Sequence, residues 1–149
     1  MENNLIHDIS DTSLWIAAYR AQESARNDAL FNDAFAKKLA GQRGIDMIAS
    51  TPNTKAMAFA MAIRTVGIDR LVQLAISKGV DTVINLGAGL DTRPYRMKLP
   101  SNFRWIEVDF ENIINYKTEI LKEISRFVHS NESLLICRSM MNVKNCLRN

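Results

Sequence analysis

Apolar residues recur every three or four positions from Asp11 to about Leu39, with Leu14, Ala18, Ala21 and Ala25 on one face and Trp15 and Tyr19 widening it. That spacing predicts helix. The segment "LFNDAF" is expected to divide it in two, with Asp33 capping the second helix and Gly41 ending it before the loop "GQRGID". A third helix is expected from "STPN", where Ser50 or Thr51 can cap and Pro52 suits the first turn, running to Gly67. A shorter one should follow from Asp69 to Lys78, with Leu71, Leu74 and Ala75 on one face and Gly79 at its end.

The period then changes. "DTVINLG", residues 81–87, is a short β-branched run without regular polar alternation, as in a strand covered on both faces. "FRWIEVD", residues 103–109, predicts a second strand with Phe103, Trp105 and Val108 as buried candidates. Residues 91–99 must hold the crossover between them, and Pro94 fits its first helical turn. The unit from Asp81 to Asp109 has about the length of a strand-helix-strand motif. From Phe110 to Ile124, apolar positions 110, 113, 114, 120, 121 and 124 predict another helix, and "LLIC" at 134–137 offers a weak third strand. N-terminal helices followed by alternating strands and helices imply an α/β domain with a parallel sheet.

Composition narrows the function classes. A chain of 149 residues, 47% hydrophobic and 23% charged, suits one globular unit with a buried core. The N-terminus has no basic segment followed by an apolar stretch, so a cytoplasmic location is expected. The longest apolar run, "AMAFAMAI" at 56–63, is far too short to span a bilayer, and no membrane partner is expected. Residues 1–124 hold 15 Lys and Arg against 15 Asp and Glu, so the net charge of +3 comes from residues 125–149. A neutral body argues against nucleic acid as a partner. Cys137 and Cys146 have neither C-x-x-C spacing nor neighbouring histidines; they read as reduced thiols, and no metal site is expected.

The candidate chemistry lies at the carboxyl ends of the two strands, where parallel sheets bind ligands. Gly87 and Gly89 in "LGAGLD" can bend the main chain and let a ligand approach it. Asp109 ends the second strand 20 residues after Gly89, where a carboxylate can accept the hydroxyl protons of a ribose. Together they describe a nucleoside pocket. A dinucleotide motif would place a third glycine where this chain has Thr92, and Asp91 beside it would repel a pyrophosphate. An NAD-linked oxidoreductase is therefore disfavoured, and S-adenosylmethionine, a nucleoside without phosphates, fits better. Arg64 is a candidate partner for its carboxylate. Each residue also has a structural reading: Gly87 and Gly89 a tight turn, Asp91 and Asp109 helix caps, and Arg64 a cation near a helix C-terminus.

"NLGAGLDTRPYR", "WIEVDFENIINYK", "MAIRTVGID" and "WIAAYRAQESARNDALFNDAFAKKLAG" resemble the leucine carboxyl methyltransferase family and its bacterial relatives among S-adenosylmethionine-dependent O-methyltransferases, over roughly residues 12–122. The resemblance implies a Rossmann-like class I methyltransferase fold. It also implies cofactor contacts at Arg64, at the Gly87-Ala88-Gly89 turn and at Asp109, with Asp91 beside them. A lysine that some members use near the N-terminal helices has no counterpart at Asn32. No catalytic residue is assigned, and the acceptor is expected to be a small-molecule or peptide carboxylate, or a hydroxyl. The domain organisation expected is 1–124 as helical region plus the start of the cofactor domain, and 125–149 as a divergent basic tail. That organisation implies a truncated or frame-shifted member, with two alternatives: an active methyltransferase, or a non-catalytic remnant that self-associates through an uncovered sheet edge.

Overall fold

A computed structural model describes residues 9–122 and 134–137. The chain forms two compact units, residues 1–72 and 73–149.

In the first unit, α1 (Ile9–Ser24) packs on α2 (Ala36–Ala49). Ala17, Ala18 and Tyr19 of α1 and Leu39, Ala40 and Met47 of α2 are buried, and small side chains let the two helices approach closely. The approach is tightest at Gly44, where a Cβ would lie 2.7 Å from the Leu14 carbonyl oxygen. Asp33 caps α2 as expected, its Oδ1 accepting the N–H groups of Phe35 and Ala36 at 3.2 and 3.1 Å. Its Oδ2 accepts from Arg20 Nε at 2.9 Å in a buried pair that ties the loop to α1. Gly41 does not end the helix. It kinks α2 with φ 58° and ψ −173°, and "GQRGID" is helical beyond it.

The third element also differs from expectation. α3 (Thr54–Ser77) is one continuous helix that passes through Gly67 and Asp69. Ser50 and Thr51 serve the end of α2, donating their hydroxyls to the Asp46 and Met47 carbonyls at 2.9 and 2.7 Å. Gly79, at φ 88°, lies just beyond the end of α3.

In the second unit, β1 (Thr82–Leu86), the single-turn α4 (Arg93–Arg96) and β2 (Arg104–Val108) form the expected strand-helix-strand unit, with Pro94 in the first turn of α4. α5 (Glu111–Ile120) follows, and β3 (Leu134–Cys137) joins the far side of β2. All three strands are parallel, in the order β1-β2-β3, with Leu86 opposite Val108 and Val108 opposite Cys137. This is the start of a Rossmann-like α/β sheet. β2 occupies the centre, and Phe103, Trp105, Ile106 and Val108 are all buried. β1 is not covered on both faces: Ile84 is 47% and Leu86 67% exposed. Position 124 of the expected last helix and Cys146 lie outside the described residues. Among the described residues, no helix is long and apolar enough to cross a membrane.

The glycines separate a continuous α3 from two shorter helices. Nothing lies within 4 Å of a Cβ added at Gly67, so Gly67→Ala is expected to stabilise the protein by about 0.5 to 1 kcal/mol. Gly44→Ala, which would strike the α1 main chain, should destabilise it. Urea unfolding of the two variants checks both signs, and a destabilising Gly67→Ala would mean that the helix breaks there.

Candidate functional site

The parallel register of β1 and β2 brings Gly87 and Asp109 out side by side, because Leu86 and Val108, the residues before them, are paired. The chain after β1 turns back at once: Gly87 and Ala88 both donate N–H bonds to the Val108 carbonyl, at 2.8 and 3.2 Å. Gly87 and Gly89 sit at φ 66° and 53°, left-handed conformations that favour glycine. Gly87 is exposed, so the main chain of the turn is open to a ligand. Gly89 N–H is not free: it donates to Asp109 Oδ2 at 2.6 Å.

Asp109 is only 4% exposed, and its Oδ1 accepts the Phe110 N–H at 2.7 Å, at the start of α5. The carboxylate thus closes the glycine turn and braces the residue that precedes the helix; α5 itself has Phe110 at its N-cap and no side-chain cap, so the reading of Asp109 as a helix cap does not hold. A carboxylate offers about four lone-pair sites, and two N–H bonds leave acceptor capacity for ligand hydroxyls.

Asp91 is also held from several sides. Its Oδ1 accepts the Arg93 N–H at 2.9 Å, and its Oδ2 lies 2.7 Å from an Arg93 guanidinium nitrogen and 2.9 Å from Asn85 Nδ2. These bonds brace the loop between β1 and α4. They also place a cation on Asp91, which weakens the argument that its charge would repel a pyrophosphate. Thr92, at the third-glycine position, is fully buried and fills that space with a side chain.

The structure therefore brings Gly87, Ala88, Gly89, Asp91 and Asp109 to one edge of the sheet. Arg64 lies in the other unit, exposed near the middle of α3. A place so far from the helix end removes its alternative reading as a cation at a C-terminus.

Behind the turn lies a pair that the sequence reading did not single out. Lys117 Nζ of α5 meets Glu107 Oε1 of β2 at 2.7 Å, with both side chains enclosed, and lies 5.9 Å from the centre of the Tyr95 ring. Glu107 Oε2 has no hydrogen-bond partner among the described residues. Burial pushes the Glu107 carboxyl up to about 7; the Lys117 ammonium pulls it down, and the charges of Asp91 and Asp109 add to the rise. Burial, with the Glu107 charge behind it, also raises the Tyr95 phenol. A signal existed in the sequence: Lys117 stands on the buried stripe of α5 with Ile113, Ile114 and Leu121, where an apolar residue is expected.

Comparison with known proteins identifies the family. The model of the family described as leucine carboxyl methyltransferase matches residues 13–137, past residue 124 and through β3. The chain belongs to that family. It is 35% identical over 126 residues to a protein of Streptomyces coelicolor, a match that covers 79% of this chain and 44% of the relative. It is 34% identical to one of Streptomyces avermitilis, with 75% and 42% covered, and 35% identical to one of Frankia alni, also with 75% and 42% covered. Each of the three bears the name "Putative S-adenosyl-L-methionine-dependent methyltransferase". The chain spans about two fifths of the length of these curated relatives.

The raised Glu107 carboxyl sets a pH dependence. The folded protein keeps a proton up to about pH 7 that an ordinary carboxyl, at 4.5, has already released. The folded state binds more protons in that window, so this group's contribution to stability is full below pH 4.5 and is lost as pH rises through about 7. The slope is at most about 1.4 kcal/mol per pH unit. Urea unfolding at a series of pH values should show this fall, and Glu107→Gln should flatten it. An unchanged slope in the variant would assign the dependence to other groups.

Proposed function

We propose that this chain holds the cofactor-binding half of an S-adenosylmethionine-dependent O-methyltransferase acting on a carboxylate or a hydroxyl. The observation that bears the reading is the hydrogen bond from Gly89 N–H to Asp109. It sets a carboxylate with spare acceptor capacity against an open glycine turn, as the ribose of an adenosine requires. The family membership and the relatives' names support the same cofactor. Arg64 is assigned to the methionyl carboxylate on the strength of the family resemblance.

The residues present fit such a group. Gly87 and Gly89 leave the turn uncovered, Asp109 would take the ribose hydroxyls, and Asp91 with Arg93 keeps the loop in place. When bound, the cofactor supplies the methyl group, as an electrophile on a sulfonium. The protein's share is to orient the acceptor oxygen and exclude water, effects worth on the order of 7 to 11 kcal/mol in favourable cases. A carboxylate acceptor is already ionised near neutral pH and needs no base; a hydroxyl acceptor would need one.

In a second reading the chain binds the cofactor without transferring methyl groups, and copies associate through the sheet edge. The exposure of Ile84 and Leu86 on β1 favours it.

Calorimetric titration of S-adenosylmethionine and NADH, beside a methyl-incorporation assay, separates the readings. We expect heat from S-adenosylmethionine alone, and Asp109→Asn to weaken binding by roughly 1 to 3 kcal/mol as a charged hydrogen bond is lost. Binding without transfer selects the second reading, and a preference for NADH overturns both.

A further inference from the structure

The buried pair of Glu107 and Lys117 has no place in the cofactor contacts, yet it lies directly behind them. Glu107 stands two residues before Asp109, and its Oε1 accepts from Lys117 Nζ of α5 at 2.7 Å with both side chains enclosed. α5 starts from Phe110, whose N–H is held by Asp109 Oδ1 at 2.7 Å. Asp109 Oδ2 in turn accepts the Gly89 N–H at 2.6 Å. One path of contacts therefore runs from Glu107 to Lys117, back along about two turns of α5 to Phe110, and through Asp109 to the glycine turn.

Apolar side chains would hold α5 on β2 as firmly, since desolvation offsets the attraction of two buried charges. What the charges add is a single geometry. An apolar contact tolerates some rotation of the helix, and a hydrogen bond of 2.7 Å does not.

We propose that Glu107 and Lys117 are positioning residues for the cofactor: the pair fixes α5, and through the Phe110 N–H the Asp109 carboxylate, where it receives a ribose, and the hold follows the charge on Glu107. The proposal deepens the cofactor reading and takes its ligand from it. The charged and titratable groups around Glu107 are Lys117 of α5, Tyr95 of α4, Asp91 of the loop after β1, and Asp109. Its register partners, Asn85 of β1 and Ile136 of β3, carry no charge. Burial pushes the Glu107 carboxyl up to about 7 against the pull of Lys117, with Asp91 and Asp109 adding to the rise. The ion pair is thus complete on the basic side of that pH and lost on the acid side. Cofactor affinity should rise with pH where the same group's contribution to stability falls.

S-adenosylhomocysteine is the probe, because it lacks the sulfonium charge and its binding cannot follow pH through attraction between Glu107 and a cation on sulfur. Titrated calorimetrically into the full chain, it should bind about fivefold more weakly near pH 6 than near pH 8, and Glu107→Gln should remove the difference. Lys117→Met alone strands a buried acid, so the double variant Glu107→Gln with Lys117→Met, which buries no charge, tests position. It should weaken binding about tenfold, roughly what one hydrogen bond to a charged group supplies. Hydrogen exchange gives a readout without ligand. In the double variant the Gly89 and Phe110 amides, both bonded to Asp109, should exchange faster, while the Arg104 amide, bonded to the Asp81 carbonyl at 2.8 Å at the other end of the strand pair, should not. Equal acceleration of all three amides would mean a general loss of stability and overturns the proposal. Unchanged Gly89 and Phe110 amides, or a pH dependence that survives Glu107→Gln, overturns it too. If the wild-type chain binds no S-adenosylhomocysteine while those two amides respond as expected, the cofactor reading fails and the positioning of Asp109 by the pair stands.

Discussion

One hydrogen bond, from the Gly89 N–H to the Asp109 carboxylate, sets the geometry of the sheet edge on which the candidate site is built. It can form only because β1 and β2 pair with Leu86 opposite Val108, so that the chain leaves both strands at the same level. A slip of one residue would turn Asp109 to the opposite face and put Glu107 out of reach of Lys117. β2 is buried on both faces, with Trp105 on one side and Ile106 and Val108 on the other, so it is the buried Glu107, which must face Lys117, that a slip would misplace. The Asp109 carboxylate is thus positioned by the pairing and packing of the strand before it, and the hydrogen bond to Gly89 follows from that position.

The Glu107 and Lys117 pair extends the same logic inward. Residues 105 and 107 share one face of β2 and Asp109 follows directly on its last residue, so the acid that meets α5 and the acid that closes the glycine turn are two residues apart at one strand end. A fully buried ion pair is poor evidence for stability, since desolvation of two charges opposes their attraction. Its effect here is better described as orientation. Lys117 must lie over Glu107 and beside Tyr95, which fixes the rotation of α5 about its axis and ties α4 and α5 to one strand. Asp109 holds the Phe110 N–H, at the residue from which α5 starts. The start of α5 and its middle are therefore both anchored to β2.

The parts of this architecture that were legible in the sequence are those fixed by local chemistry. Glycines in a turn, a β-branched run, an acid at a strand end and Pro94 in a first helical turn each have few alternatives, and the structure has them where the sequence suggested. The misreadings share a different cause. Gly67 costs a helix only about 1 kcal/mol, too little to break one of 24 residues that is otherwise rich in alanine. Ser50 and Thr51 could cap forwards or bond backwards, and only the end of α2 decides that they do the latter. Lys117 was hidden because a lysine at helical spacing reads as solvated until a buried acid is found opposite it. The coverage of β1 was overestimated because the layer that would cover a strand is a tertiary property, absent from the strand's own composition.

What disfavours a pyrophosphate at this sheet edge is shape more than the charge of Asp91. Arg93 and Asn85 already engage that carboxylate, so the loop is closer to neutral than its sequence suggests. Two other features disfavour a pyrophosphate. α4 has only four residues, and a single turn develops little of the aligned dipole that draws phosphate to a helix N-terminus. Thr92 is fully buried at the position where a dinucleotide loop has its third glycine, so the close packing of helix on strand that such loops use is replaced by a side chain. What the edge does offer is an open main chain at Gly87 and a fixed carboxylate at Asp109, which together suit a ribose and make no demand for a phosphate. The short helix and the buried threonine disfavour a pyrophosphate at this edge whether or not Asp91 carries its charge.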